Sequence, residues 1–279
     1  MNGPLDPRRH PHRADLAAAH LKGRVDAARF VEGVPHRVRT GVAGMRGEPD
    51  AKARHTSQLL FGETFTVYDT RDGWSWGQCG TDGYVGWVRG QSLAADLSAP
   101  THVVTAVRSF LFPEPDLKTP PRDAIPLGAP VTVLRTVNGY CELAGGGWLY
   151  GRHLSAPDRL EPDPVATAER LLGVPYLWGG RTPLGIDCSG LVQLALLRAG
   201  IRCPRDSDMQ RDEVGTRISG DGAGVTYRRG DIVFFPGHVG LMLDADRLLH
   251  ATAYTMTVAV EPLADVAERG GGITGVRRL

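Results

Sequence analysis

The chain has no run of apolar residues near the roughly 20 that a helix needs to cross a bilayer, so no membrane partner is implied. Its first residues, Met1-Asn2-Gly3-Pro4-Leu5-Asp6-Pro7-Arg8-Arg9, lead into no apolar segment of the secretory kind, and the expected compartment is the cytoplasm. An excess of one charge is missing too. Against 32 Lys plus Arg stand 31 Asp plus Glu, and a net charge of +1 gives nucleic acid nothing to hold. Cysteine is scarce. Cys79, Cys141, Cys188 and Cys203 form no C-x-x-C pair, so a structural zinc framework is poorly supported. In a reducing compartment three of them are inert and one needs explaining.

Glycine (36) and proline (20) are plentiful, about a fifth of the 279 residues, and 42% of the chain is hydrophobic. That composition predicts short strands, tight turns and a core large enough for two or three domains. Residues 1–35 are charged and are expected to form a helical arm. Asp15 suits an N-cap, and Leu16, Ala19, Val25 and Phe30 give a loose apolar face that would lie over a neighbouring domain. Two stretches then resemble each other at an offset of about 66 residues. The first contains Gly73-Trp74-Ser75-Trp76-Gly77-Gln78 and Gly83-Tyr84-Val85-Gly86-Trp87-Val88; the second contains Gly139-Tyr140-Cys141-Glu142-Leu143 and Gly147-Trp148-Leu149-Tyr150. Alternating aromatic and small residues between glycine turns predict strands and hairpins, hence two small β-barrels over 36–97 and 98–157. In such barrels Trp76 and Trp87 are core residues.

A proline-rich joint, Pro157 to Pro164, opens the last domain, 158–279. A helix over Pro164–Leu172 is followed by the loop Pro175-Tyr176-Leu177-Trp178-Gly179-Gly180. Asp187-Cys188-Ser189-Gly190 opens a second helix that is apolar nearly all round and so is buried. Strands over 231–235, 238–243, 247–251 and 257–261 complete an α+β domain.

Cys188 stands at the start of that buried helix, where unpaired N–H groups and the helix dipole favour a thiolate. A buried, inert cysteine is the commoner fate of the residue type. The histidines shift the balance. His238 starts one strand and His250 ends the next, with a turn at Asp244-Ala245-Asp246 between them. An odd loop puts both on one face, and a loop centred at Asp244 makes them cross-strand neighbours roughly 5 Å apart at Cβ. One ring can then take the thiol proton while the other orients it. An even loop would separate them, and the same three residues would also suit a metal site that lacks its fourth ligand.

Tyr176-Leu177-Trp178-Gly179-Gly180, Asp187-Cys188-Ser189-Gly190, Gly230-Asp231-Ile232-Val233-Phe234-Phe235, His238-Val239-Gly240-Leu241 and Leu249-His250-Ala251 resemble, in that order, the NlpC-type cysteine peptidases. These are papain-like enzymes that cut bacterial wall peptides. The stretches at 73–88 and 139–150 resemble bacterial Src-homology-3-like domains. Together they look like the γ-D-glutamyl-L-diamino acid endopeptidases, which act on murein peptides with a free L-Ala terminus during recycling. The resemblance implies Cys188 as nucleophile, His238 as base, His250 as orienting third member and Tyr176 as active-site tyrosine. It further implies Asp187 as acceptor for the L-Ala amine, and Ser189 and Ser207 as ligands of the D-Glu carboxylate. Arg205 would be an electrostatic helper, unless Arg205-Asp206-Ser207 is only a helix cap. From the first barrel, Glu48 or in its place Glu63 would close the amine end with Tyr84. No metal or organic cofactor is implied. A lytic enzyme acting on intact peptidoglycan and a non-catalytic murein-peptide binder are the rival functions.

Overall fold

Asp72-Gly73 and Asn138-Gly139 carry left-handed φ at both positions, 48° and 77° in the first pair and 51° and 78° in the second. That geometry makes the tight two-residue hairpin turn whose twist matches its strands, and it favours Asp-Gly and Asn-Gly for their tolerance of positive φ. The first turn joins Thr64–Arg71 to Trp74–Cys79, and the second joins Val133–Val137 to Tyr140–Leu143. After each hairpin comes another strand, a 3-10 turn (Gly90–Ser92 or Gly151–His153) and a two-residue strand. The N–H of Gly90 bonds to the Gly73 carbonyl, and that of Gly151 to the Gly139 carbonyl, both at 2.8 Å. The two stretches thus share one local design. This computed structural model describes residues 5–95 and 98–279, and the chain divides into two units, Met1–Pro157 and Asp158–Leu279.

In the first unit an antiparallel sheet of seven strands runs, in spatial order, through His55–Leu60, Val42–Arg46, Val85–Arg89, Trp74–Cys79, Thr64–Arg71, Val34–Val38 and Leu93–Ala94. Met45, Leu59, Phe65 and Val88 pack a dry core on one side of it. Trp74, Trp76 and Trp87 are each 4% exposed and gather around Leu16 from the N-terminal segment. Trp76 and Trp87 are packing residues, as read. The N-terminal segment is an arm but not a helix. Ala17–Ala18 pairs in parallel with Phe30–Val31, and only Ala19–Leu21 makes a 3-10 turn. Some of its backbone bonds join distant partners: Ala17 N–H to Arg29 O, and Val85 N–H to Arg8 O. Asp15, expected as an N-cap, instead pairs with Arg13 and Arg71. Burial of Leu16 on the tryptophans, with that of Ala17, Ala18 and Leu21, outweighs the weak helical pattern. Residues 102–155 form three small sheets around a second apolar core that includes Leu111, Ile125, Val131 and Leu149.

The second unit carries helix α1 (Pro164–Glu169), capped by Asp163, whose side chain accepts from the Val165 and Ala166 N–H groups. Helix α2 (Cys188–Arg198) is buried along nearly its whole length. Helix α3 (Ser207–Glu213) follows, and α4 (Leu263–Arg269) precedes the last strand. A six-stranded sheet orders Thr216–Ser219, Gly275–Arg278, Ile232–Phe235, His238–Met242, Arg247–Thr252 and Thr257–Pro262. Helix α2 packs on the His238–Met242 strand, so the start of a helix meets the start of a strand. Among the described residues no helix is long and apolar enough to cross a membrane.

Candidate active site

The start of α2 is held from below by a closed polar cluster. Asp187 is its N-cap and is 7% exposed. Oδ1 accepts from the Gly190 N–H at 2.7 Å, from Arg205 at 3.0 Å and from the Ser189 hydroxyl at 3.2 Å. Oδ2 accepts from Arg205 at 2.6 Å and from the Gly179 N–H at 2.8 Å. Arg205 is 1% exposed and also donates to Ser189 Oγ at 2.8 Å. Burial works against its charge, but the Asp187 carboxylate more than offsets this and raises its pKa. Gln210 on α3 donates to the Ser189 and Pro204 carbonyls, both at 2.9 Å, and ties the Arg205 loop to α2. Two motif glycines make the packing possible. A Cβ on Gly190 would sit 2.2 Å from the Gly180 carbonyl oxygen, and one on Gly180 would sit 2.3 Å from that of Gly185.

The other half of the site is a row of side chains along the sheet. His238 Nε2 lies 2.8 Å from His250 Nδ1, His250 Nε2 lies 2.9 Å from Glu261 Oε2, and Arg269 bonds both oxygens of Glu261 at 3.0 Å. A carboxylate only accepts, so His250 Nε2 carries the proton and its Nδ1 is bare. His250 Nδ1 then accepts from His238 Nε2–H, which leaves His238 Nδ1 as the basic nitrogen. Glu261 therefore sets the tautomer of His238 through an intervening ring.

The pairing of Leu241 with Leu249 and of Met242 with Leu248 centres the hairpin at Ala245, not Asp244. The loop is still odd, so both histidines share a face. They meet on a diagonal rather than directly. His250 faces Gly240 instead, where a Cβ would lie 3.0 Å from that of His250.

Charge at the site is held back on both sides. Burial pushes the Cys188 thiol up to about 12, and the neighbouring Asp187 carboxylate adds to this; the Val239 and Ser189 N–H groups pull the other way. Burial, and then His250, bring His238 down to about 4. Burial also lowers His250, against the pull of Glu261. Burial thus works against charge on the thiol and on the imidazole alike. The Val239 contact places the sulfur beside the residue that follows the base.

Tyr176 is half-buried, and its phenol is raised by burial and by the nearness of Cys188 and Asp187. Asp187, expected to receive a substrate amine, has both oxygens already engaged by Arg205, Ser189 and two backbone N–H groups. Ser189 is likewise engaged with Asp187 and Arg205. Ser207 opens α3 at its first turn, and Asp206 rather than Ser207 is that helix's N-cap, without a side-chain capping bond. Glu48, Glu63 and Tyr84 belong to the first unit. Glu48 is exposed in the turn after Val42–Arg46. Glu63 is 5% exposed and accepts from the Leu60 N–H at 2.8 Å and the Thr81 hydroxyl at 2.7 Å, which makes it an internal brace and a poor substitute for Glu48. The Tyr84 ring is 7% exposed in the sheet's core. Glu261 and Arg269 were not singled out in the sequence. The signal for Glu261 is its position two residues past Ala259, which pairs directly with His250.

Residues 173–267 match the NlpC/P60 family, and residues 45–93 match the bacterial dipeptidyl-peptidase Sh3 domain. Dipeptidyl-peptidase 6 of Lysinibacillus sphaericus is 26% identical over 240 residues, covering 76% of this chain and 85% of that protein. Gamma-D-glutamyl-L-lysine dipeptidyl-peptidase of Bacillus cereus is 26% identical over 241 residues, covering 74% and 70%. An NlpC/P60 family protein of Bacillus cereus superposes with a TM-score of 0.76 at 20% identity, over 88% of this chain and 99% of that one, a likeness of fold alone.

Proposed function

From an SH3-like domain followed by an NlpC/P60 peptidase domain, we propose a cysteine peptidase that hydrolyses the bond between D-Glu and a diamino acid in murein peptides with a free L-Ala terminus, in recycling. What supports it most is the row His238–His250–Glu261 beside a cysteine whose sulfur meets the Val239 N–H. The names of the two relatives point the same way, one to a γ-D-glutamyl bond and both to release of a dipeptide. A dipeptidyl-peptidase must read a chain terminus, which is why a free amine is included.

In the reaction Cys188 Sγ attacks the D-Glu γ-carbonyl while its proton passes to His238 Nδ1, so that neither ion forms alone in the buried site. The Cys188 N–H, at the first turn of α2 and without an intrahelical acceptor, faces the developing oxyanion. Collapse breaks the C–N bond, and the departing amine takes the proton from His238. Water, deprotonated by the same nitrogen, then cleaves the thioester and returns the proton to sulfur. Ser207 offers a hydroxyl to the D-Glu α-carboxylate, and Tyr176 covers the attacked carbon. The Asp187–Arg205 cluster acts by holding the helix start rather than by receiving the amine.

The test is cleavage of L-Ala-γ-D-Glu-diaminopimelate with and without N-acetylation. Release of L-Ala-D-Glu is expected, and acetylation, which removes the ammonium that a terminus-reading enzyme recognises, should lower kcat/KM by about 10²-fold. Equal cleavage of acetylated peptide, or of intact murein sacculi, would replace recycling with wall lysis.

A further inference from the structure

A cavity of about 500 Å³ lies wholly inside the first unit, on the seam between the seven-stranded sheet and the strands that follow it. That volume suits a small ligand. Two close approaches fix the width of the seam. A Cβ on Gly62 would come within 1.8 Å of the Pro130 carbonyl oxygen, and one on Gly41 within 2.2 Å of the Ala124 carbonyl oxygen. Leu60 and Phe61 also reach from the sheet into the apolar core of the later strands. The walls are therefore set before any ligand arrives.

The lining combines apolar side chains, among them Phe61, Leu111 and Val131, with three arginines, Arg37, Arg39 and Arg122. Arg37 donates to the Gly62 carbonyl at 2.7 Å, but its Nε is buried with no partner among the described residues. Among the described residues nothing accepts from the guanidinium of Arg39 or of Arg122. Among the described residues Asp123 is the one acid in the lining, and its oxygens are held by the Gly41 and Ala124 N–H groups, each at 2.7 Å. Among the described residues three guanidinium groups, two of them exposed and that of Arg37 half-buried, meet one backbone-bound carboxylate. A buried donor without an acceptor is costly, and the guanidinium fork matches an oxyanion.

We propose that this cleft is a binding site for the carboxylate of a short peptide, with the arginines on the carboxylate and the peptide's small side groups on the apolar wall. A peptide is favoured over inorganic phosphate because phosphate would leave that wall wet. The test is NMR titration of the full-length, ¹⁵N-labelled protein with N-acetyl-Ala-Ala in its L,L and D,D forms, chosen for one carboxylate, no ammonium and two methyl groups. Saturable shifts at Phe61, Leu111, Gly145 and Gly146 are expected with at least one form. The corresponding C-terminal amide should bind at least tenfold more weakly. Arg39→Gln/Arg122→Gln, which alters two exposed side chains, should weaken the acid at least tenfold with Tm unchanged. Equal binding of acid and amide, equal binding by the variant, or no shift at these residues would overturn the proposal. Saturation by inorganic phosphate where neither dipeptide form binds would overturn the peptide and assign a phosphate ester instead.

Discussion

The two halves of the candidate site are built on opposite plans. At the start of α2, Asp187 receives five hydrogen bonds from four residues, and Arg205 is fully buried against it. Along the sheet, His238, His250, Glu261 and Arg269 form a line in which each group hydrogen-bonds to the next. A closed cluster fixes a position, and losing one member strands the others. A line transmits orientation and charge, so the effect of a loss should fade with distance from the thiol. The plans thus predict failures of different kinds, in folding on one side and in rate on the other.

The largest expected effect is at the junction of the two. Cys188→Ala should lower kcat by about 10⁴-fold or more while leaving the denaturation midpoint nearly unchanged, since the nucleophile is lost and little volume with it. Cys79, Cys141 and Cys203 are buried as well, so burial does not distinguish them. Serine at those three positions should leave the turnover of properly folded protein intact. A conventional assay on purified variants decides, and an active Cys188→Ala would remove the site altogether. His238→Ala comes next, with about 10²- to 10⁴-fold loss in kcat as the base disappears.

Asp187→Ala should instead act on stability. It leaves Arg205 charged, buried and without its carboxylate, and it uncaps α2, at a cost of about 3–5 kcal/mol. Urea denaturation followed by far-UV circular dichroism measures this. A variant as stable as the wild type, but slow only on substrates with a free amine, would mean that Asp187 reads substrate after all.

Legibility in the sequence follows the same division. Cys188, His238 and His250 stand in compact motifs, and the glycines beside Cys188 have packing reasons that the motif records. The hairpins at Gly73 and Gly139 were legible because positive φ selects glycine locally. The arm was misread as helical because its partners, Arg29 and the tryptophans, lie far from a weak local pattern. The saturation of Asp187 depends on Arg205, 18 residues away, and no spacing reveals it. Glu261 depends on strand register, where a shift of one residue would turn it to the other face.

If the line of side chains transmits orientation, loss at His250 should fall between those at its neighbours. His250→Gln keeps one hydrogen-bonding group beside His238 Nε2 and should lose about 10- to 100-fold in kcat, less than His238→Ala. Stopped assays at saturating substrate separate the two, and a His250→Gln loss as deep as that of His238→Ala would make His250 more than an orienting group.

The smallest effects, at the far end of the line, are the sharpest test of it because they have opposite signs. His238 must be neutral to accept the thiol proton. With its pKa held near 4, the acid limb of kcat/KM should fall near pH 4 rather than at the 6.5 of an ordinary histidine. The Glu261 charge raises the pKa of both histidines, and the Arg269 charge lowers both. Glu261→Gln should therefore move the acid limb to still lower pH. Its amide oxygen can continue to accept from His250 Nε2, so the tautomer survives and kcat should drop by only about tenfold or less. Arg269→Gln should move the limb to higher pH, because a positive charge that discouraged protonation has gone. Glu261→Leu removes the acceptor and frees His250 to adopt the other tautomer, so its loss in kcat should exceed that of Glu261→Gln. A brace that merely held α4 to the sheet would lower stability in these variants and leave the acid limb in place. Shifts of opposite sign from Glu261→Gln and Arg269→Gln are not available to such a brace, and they require the charge at the end of the row to be felt at His238.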